Sequence, residues 1–226
     1  MLILSFDAAT AALSVALLAD GDVLDTFQSR TEKTHSERLM PAVDQLLRAH
    51  KVALADIGLV AVGRGPGSYT GIRIAVATAL GLTNNTATAL ITVSTLQAMT
   101  GADPDRTVYA VLDARGGRVF AGGYRGGTAV GADRQTTAAE LADHLLETRP
   151  AGLLLAGNGA PLVAAELAGR APDFAFAVEA DRWPDAAYLG RLGLEAFRAR
   201  GGGMAVHEVR PFYAAPTQAE RLATSP

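Results

Sequence analysis

Apolar residues come in short runs over the first 30 positions of the chain and then at helical spacing over the next 20. The short runs predict three antiparallel strands, with Asp20 and Gly21 forming the hairpin turn between the second and the third. The helical spacing predicts a helix that opens at the capping-box sequence THSE of residues 34–37, and Pro41 inside it marks either the true first turn or a kink. The predicted strands of this half are residues 2–6, 13–18, 23–27, 57–62 and 89–93, and the predicted helices are residues 35–50 and 71–82.

The second half of the chain repeats this order of elements. A capping box at residues 137–140 opens its first helix, and one additional helix begins near Pro184 and ends at the glycines of residues 201–203. The predicted strands are residues 108–112, 118–124, 128–131, 153–156 and 174–178, and the second helix is residues 161–168.

A duplicated order of three antiparallel strands followed by alternating helices and strands predicts two mixed sheets, each with its first strand near the middle. The predicted fold class is therefore α/β with two ribonuclease-H-like lobes, the plan found in actin, heat-shock chaperones and sugar kinases. We place lobe one at residues 1–103 and lobe two at residues 104–226. A fold of this kind does not define an activity, so the function has to be argued from the site.

The amino-acid composition of the chain excludes several classes of protein. Hydrophobic residues make up 49% and charged residues 19% of the 226 positions, which predicts a packed core and excludes disorder as the main state. The chain has no cysteine, which excludes a disulfide framework, a thiolate metal site and a cysteine nucleophile. Without a basic leader or a long apolar stretch, we expect a cytoplasmic protein with no membrane span. The net charge of −3 predicts that the chain does not bind nucleic acid directly.

Two aspartates end the first strand of each predicted lobe. Asp7 and Asp113 would face one cleft, where two carboxylates could hold a hydrated magnesium ion against the phosphates of a nucleotide. The alternative is that each caps its own turn, Asp7 with Thr10 and Asp113 with the backbone near residues 116–117. Both hypotheses stay open for Asp7, whereas a turn is favoured for Asp113.

The segment GRGPGSYTGIR of residues 63–73 lies between a predicted strand and a predicted helix. Glycines allow successive amides to point into one concavity at a helix N-terminus, which suits an anion. The alternative is a close turn that packs strand against helix, with Ser68 or Thr70 as the helix cap. The spacing fits neither a Walker loop nor a dinucleotide-binding loop. The predicted nucleotide or anion site consists of Asp7, Thr10, Gly65, Gly67, Ser68, Thr70 and Gly71.

As a whole string, this segment resembles the signature of the TsaB (YeaZ) family. That family is the non-catalytic partner protein of the bacterial apparatus that makes threonylcarbamoyladenosine on transfer RNA. Two departures lie in lobe two, where Arg118 replaces a usual glutamate and residues 211–213 lack the usual Leu-Arg continuation. The other matching strings are ILSFDAAT at residues 3–10, HSERLMP at 35–41, VSTL at 93–96, DAR at 113–115 and GNG at 157–159.

The resemblance also bears on metal chemistry, because the family's catalytic paralogue, TsaD, holds its metal with a His-x-x-x-His pair after the fifth strand. Here the equivalent residues 94–99 read STLQAM. The four histidines, His35, His50, His144 and His207, never lie three or four positions apart, so a paired-histidine metal site is excluded. A glycoprotease function would also need a Ser and His pair near Ser68, and none is found. We therefore predict no catalytic residue and no metal site.

The second predicted helix lacks a polar stripe, since only Arg73 and Thr78 are polar between residues 72 and 82. Either its own chain or another chain must cover it on more than one side. Small residues one turn apart, Ala75 with Ala79 and Ala77 with Gly81, would let another helix approach closely. The resemblance implies pairing with the paralogue through the helices of lobe one. The predicted interface residues are His35, Leu39, Ala42, Val43, Leu46, Ile72, Ala75, Val76, Ala79 and Leu80.

We therefore expect a non-catalytic subunit of the complex that modifies position 37 of transfer RNA. It would bind and activate the catalytic TsaD paralogue, support a TsaE-type ATPase, contact transfer RNA only indirectly, and pair with itself when alone. The alternative is an ATP-dependent small-molecule kinase or ATPase that uses Asp7, Thr10 and residues 65–71 on magnesium-bound ATP. In either case we expect no tightly bound cofactor, and at most weakly bound ATP or ADP with magnesium.

Overall fold

The structure, a computed structural model, describes residues 1–30, 35–101 and 104–214. Its strands form two separate mixed sheets, and helices cover their faces. Both sheets have the first strand of their half in a central position, so the predicted α/β fold with two lobes is confirmed. Thr34 of the predicted first capping box lies outside the described residues.

The first sheet has five strands in the order β3-β2-β1-β4-β5. Strands β1, β2 and β3 are antiparallel neighbours, while β4 and β5 run parallel to β1. Helix α1 begins at His35, so Pro41 does not mark its first turn. The elements are β1 (Leu2–Asp7), β2 (Ala12–Ala19), β3 (Asp22–Arg30), α1 (His35–Ala49), β4 (Ile57–Gly63), α2 (Tyr69–Thr83) and β5 (Ala89–Val93).

The second sheet has the order β11-β10-β6-β7-β8, and β9 pairs with β7 beyond the end of β8. The sequence pattern missed β9 as a strand, and it started β11 three residues too early and ended it one residue too early, because both strands are short and exposed on at least one face. The elements are β6 (Thr107–Asp113), β7 (Arg118–Arg125), β8 (Thr128–Ala129), β9 (Arg134–Thr137), α3 (Ala138–Thr148), β10 (Leu154–Ala156), α4 (Ala160–Arg170), β11 (Ala177–Glu179) and α5 (Ala186–Arg200).

Local sequence signals explain where these helices begin and end. The Ser68 side chain accepts from the Gly71 amide at the start of α2, and the predicted capping box between Thr137 and Glu140 opens α3. Helix α5 ends at Arg200 and is capped by Gly201, which adopts a left-handed conformation with φ of 72°. Among the described residues, no helix combines the length and the hydropathy of a membrane span.

Helices cover both faces of the first sheet. Helices α1 and α2 pack on one face, where Phe6 and Val62 meet Ile72. Helix α5 packs on the other face, where Leu189 meets residues of β1, β2, β4 and β5. The predicted boundary at residue 103 therefore does not separate the two lobes, because α5, assigned by position to lobe two, belongs to the core of the first sheet. Chain order alone cannot say which sheet a late helix covers.

The second lobe has its own core between one face of its sheet and helices α3 and α4. The lobes meet at the turn after β5, where Leu96 and Met99 pack against Leu112 and Tyr124. This contact is apolar and buried, so the two lobes are joined by packed side chains at this turn.

Candidate functional site

Asp7 ends β1 and is fully buried. Its Oδ1 atom accepts from the Ala9 amide at 2.7 Å, and its Oδ2 atom accepts from the Thr95 hydroxyl at 2.6 Å. Burial raises the pKa of the Asp7 carboxyl, and these two hydrogen bonds with the nearby His35 charge only partly oppose that effect. A carboxyl with both oxygens engaged inside the fold is not placed to hold a magnesium ion in the cleft.

Asp113, the second aspartate of the predicted pair, and Thr10 also form hydrogen bonds within their own turns. Asp113 is exposed and its Oδ1 atom accepts from the Arg115 amide at 2.7 Å, which is the favoured turn-capping role. The Thr10 hydroxyl accepts from the Ala12 amide at 3.1 Å and donates to the Ala12 carbonyl at 3.2 Å. Asp7 is thus paired with Thr95 rather than with Thr10, a contact between β1 and the turn after β5 that the sequence did not indicate.

The amides of the glycine-rich loop are largely used within the chain. The Gly65 amide donates to the Thr95 hydroxyl at 3.1 Å, and the Ser68 amide donates to the Ala9 carbonyl at 2.7 Å. The Gly71 amide donates to the Ser68 hydroxyl at 3.3 Å. These donors are not available to cradle a phosphate group, so the alternative hypothesis, a close turn with Ser68 as the helix cap, describes the loop.

Close backbone approach explains why this loop needs glycines. A Cβ atom at Gly67 would overlap the Ala9 carbonyl, and one at Gly71 would overlap the Ala8 carbonyl. A Cβ atom at Gly65, whose φ is +98°, would lie 2.8 Å from the carbonyl oxygen of Phe212. The glycines therefore fit the loop against the turn after β1 and against the C-terminal part of the described chain.

A cleft of about 740 Å³ lies between the two lobes. His35 lines it from the start of α1 and donates through Nε2 to the Thr10 carbonyl at 2.8 Å, while its Nδ1 atom is buried with no partner in the described ranges. Ser68 and Arg115 line the cleft from opposite lobes. His35 thus belongs to the cleft wall, although it was predicted as an interface residue.

These observations together argue against a magnesium-nucleotide site. Asp7 is sealed in the core, the Thr10 hydroxyl is engaged in its own turn, and the amides of Gly65, Ser68 and Gly71 bind other parts of the chain. Gly67 packs against Ala9, and only Thr70 of the predicted set is exposed without such a constraint. The structure therefore favours the close-turn hypothesis for this loop over the anion cradle, because glycines spaced for an anion cradle also serve for close packing.

Residues 204–213, which we call the C-terminal strap, run back across the first sheet after α5. The Met204 amide donates to the Leu90 carbonyl at 2.8 Å, and the Phe212 amide donates to the Arg64 carbonyl at 2.8 Å. The Tyr213 ring lies 4.9 Å from the Tyr69 ring at the start of α2. The strap thus ends beside the glycine-rich loop and the helix that follows it.

Most of the predicted interface residues lie inside the fold. Eight of them are at most 4% exposed and pack against the first sheet: Leu39, Ala42, Val43, Leu46, Ile72, Ala75, Val76 and Ala79. Leu80 and His35 are partly buried. The prediction that these eight contact a partner is wrong, because a helix that is apolar on all sides does not reveal which side faces its own sheet.

The opposite side of the same two helices is exposed. In α2 it carries Tyr69, Arg73, Ala77 and Gly81, four residues at intervals of four. A Cβ atom added at Gly81 would meet nothing within 4 Å. On α1, Met40 is 42% exposed. We call the surface formed by Met40, Tyr69, Arg73, Ala77 and Gly81 the outer helix face. The sequence had identified its small pair, Ala77 and Gly81, but missed Met40 and Tyr69.

Comparison with known proteins places this architecture in a family. Residues 28–177, about two thirds of the chain, match the family model described as TsaD: tRNA N6-adenosine threonylcarbamoyltransferase. The tRNA threonylcarbamoyladenosine biosynthesis protein TsaB of Escherichia coli (strain K12) is 42% identical over 124 residues. That alignment covers 53% of this chain and 53% of the relative, so the chain spans about half the length of the curated relative that it matches.

Solved structures extend the similarity to nearly the whole chain. YeaZ from Pseudomonas aeruginosa is 32% identical, with a TM-score of 0.76 over 94% of this chain and 99% of that one. A ROK hexokinase from Thermus thermophilus, 10% identical with a TM-score of 0.51, shares the fold alone and supports the sugar-kinase plan. The chain therefore belongs to the family that the TsaD model defines and, within it, to the TsaB (YeaZ) family.

Proposed function

We propose that this chain is a non-catalytic subunit in the synthesis of threonylcarbamoyladenosine at position 37 of transfer RNA, where it binds and activates the catalytic TsaD paralogue. The names of its TsaB relatives support the process. The absence of a His-x-x-x-His pair, with STLQAM at residues 94–99, supports a division of labour in which the paralogue holds the metal. A TsaE-type ATPase would join the pair, and transfer RNA would contact this subunit only indirectly.

The observation that carries the docking role is the outer helix face. Ala77 and Gly81 are exposed and small, which lets a helix of another protein approach α2 closely, while Met40 on α1 and Tyr69 on α2 offer exposed apolar side chains. A specific interface of standard size buries about 1,600 Å² in total. The outer helix face with its polar surroundings can supply one side of such an interface without unfolding any part of the chain.

The docking role can be tested with substitutions that fill the space above α2. We expect Ala77→Glu and Gly81→Leu each to weaken binding of the purified TsaD paralogue by at least about tenfold in titration calorimetry. The matched controls are Ala165→Glu and Gly169→Leu on α4, which are equally exposed helix positions on the other lobe. Equal binding by the test and control variants, all folded by circular dichroism, would refute docking through the outer helix face.

A further inference from the structure

A second cavity, of about 730 Å³, lies between the lobes in a region separate from the His35 cleft. It is bounded by the end of β5, by the loop between β8 and β9, by α5 and by the C-terminal strap. Its volume falls in the range of small-molecule sites, which run from about 300 to 1,000 Å³. Nothing in the proposed docking function uses this cavity.

One wall of the cavity carries a fixed positive charge. Arg64 follows β4, and its backbone is held on both sides, since its amide donates to the Val93 carbonyl at 2.9 Å and its carbonyl accepts from the Phe212 amide at 2.8 Å. The guanidinium lies over the Phe212 ring, 5.6 Å from the centroid. Arg64 forms no ion pair with any carboxylate in the described part of the chain.

Another part of the cavity lining is a polar cluster with a negative charge, in which Ser94 and Tyr124 are buried and Asp133 is half-buried. Asp133 accepts from the Ser94 hydroxyl at 2.5 Å and from the Tyr124 hydroxyl at 2.6 Å. A Cβ atom at Gly122 would overlap the Asp133 carboxylate, so the glycine in β7 leaves room for this carboxylate. Burial and the adjacent Asp133 charge both raise the pKa of Tyr124, which therefore stays a neutral hydrogen-bond donor.

A second carboxylate of the cavity lining lies on α5. Glu195 is exposed, lines the cavity and forms no ion pair with another described residue. Among the described lining residues, the charged side chains are therefore Arg64, Asp133 and Glu195. A ligand that matches them has one anionic end for Arg64 and one cationic end for the two carboxylates.

We infer that this cavity binds a free α-amino acid, with its carboxylate on Arg64 and its ammonium group toward Asp133 and Glu195. A guanidinium binds a carboxylate through two parallel hydrogen bonds, which gives the site its direction. Thr92 and Thr128 also line the cavity, and these polar residues favour a short polar side chain on the ligand over a large apolar one. This binding is independent of docking through the outer helix face.

Binding can be measured by titration calorimetry and by amide chemical shifts of the full chain, with L-threonine, L-serine, glycine and L-leucine as probes. We expect saturable binding of L-threonine or L-serine. N-acetyl-L-threonine lacks the ammonium group and L-threoninamide lacks the carboxylate, so each should bind at least about tenfold more weakly than L-threonine. Absence of saturable binding by all four amino acids at tens of millimolar concentration overturns the inference.

Two substitutions test the assigned ends of the ligand. Arg64→Gln and Glu195→Gln change exposed side chains and should each weaken amino acid binding at least about tenfold, while Arg118→Gln and Glu147→Gln on the other lobe should leave it unchanged. Full affinity in both test variants, or equal affinity for the two blocked analogues and L-threonine, also overturns the inference. Because none of these residues belongs to the outer helix face, loss of amino acid binding with intact binding of the paralogue separates this result from the proposed function.

Discussion

The Ser94 hydroxyl donates to the Asp133 carboxylate at 2.5 Å and thereby connects the end of β5 in the first sheet to the loop before β9 in the second. Ser94 also accepts from the amides of Leu96 and Gln97, at 3.1 and 3.2 Å. Ser94 is 7% exposed, so its hydrogen bonds are shielded from water. One small side chain thus orders the turn that joins the lobes and fixes a loop of the opposite lobe against it.

Replacing Ser94 should destabilise the junction between the lobes. We expect Ser94→Ala to lower the free energy of unfolding by about 1 to 3 kcal/mol, because the half-buried Asp133 carboxylate loses a donor and two amides lose their cap. The measurement is chemical denaturation followed by circular dichroism. Ser36→Ala, at an exposed position of α1, is the control. A Ser94→Ala protein as stable as the control variant would contradict the role of this contact.

Asp7 should make the fold less stable as pH rises. Its pKa is raised in the folded state above the ordinary value of 3.8, so the protonated form is favoured by folding. Its contribution to stability is then fully present below pH 3.8 and is lost as pH rises through the higher folded pKa. Asp7→Asn should remove this dependence, so that its stability relative to the wild type increases with pH over that window. A constant difference between the two proteins from pH 4 to pH 8 would contradict the burial effect.

Two glycines of α2 should respond to alanine in opposite directions. Gly71→Ala should cost at least about 2 kcal/mol, because its Cβ would overlap the Ala8 carbonyl. Gly81→Ala should instead stabilise the chain by up to about 1 kcal/mol, since the position is open and alanine favours the helix. Thermal and chemical denaturation of both variants tests this directly. Equal effects at the two positions would mean that the loop is not closely packed against the turn after β1.

The capping box of α3 should be visible in the titration of Glu140. The hydrogen bond from the Thr137 amide, followed by that from the Thr136 hydroxyl, lowers the pKa of Glu140 to about 2. The cap therefore contributes stability above the ordinary pKa of 4.5, and this is lost as pH falls toward 2. Thr136→Val should raise the Glu140 pKa in a carboxyl NMR titration, whereas Thr148→Val at the far end of α3 should not. An unchanged Glu140 pKa in the Thr136→Val variant would show that the Thr136 hydroxyl does not lower that pKa.

The sequence predicted the order of strands and helices well because each element has a distinct periodicity or capping signal. Turns such as Asp20 with Gly21, and capping boxes such as Thr137 with Glu140, involve only a few neighbouring residues. They can therefore be recognised without tertiary information. The location of α5 depends instead on contacts with β1 and β4 that are more than 100 positions away in the chain. Local patterns carry no information on that choice.

The candidate site was harder to predict, because the same residue types serve two physical purposes. Glycines at positions 65, 67 and 71 suit an anion cradle and also suit close backbone packing, and only the positions of Ala8 and Ala9 distinguish the two. The helix α2 likewise offers two pairs of small residues. Ala75 with Ala79 faces the sheet, whereas Ala77 with Gly81 faces outward, a difference that an apolar helix does not show in its sequence.

The central claim, that this chain activates a catalytic paralogue without performing the transfer itself, is tested most directly by reconstitution. The measurement is the amount of threonylcarbamoyladenosine formed on unmodified transfer RNA, by mass spectrometry of nucleosides, with purified paralogue, ATPase and threonylcarbamoyl donor. We predict product only when both this chain and the paralogue are present, and much less product with Gly81→Leu than with Gly169→Leu. Product from this chain without the paralogue, or full product without this chain, would contradict the account.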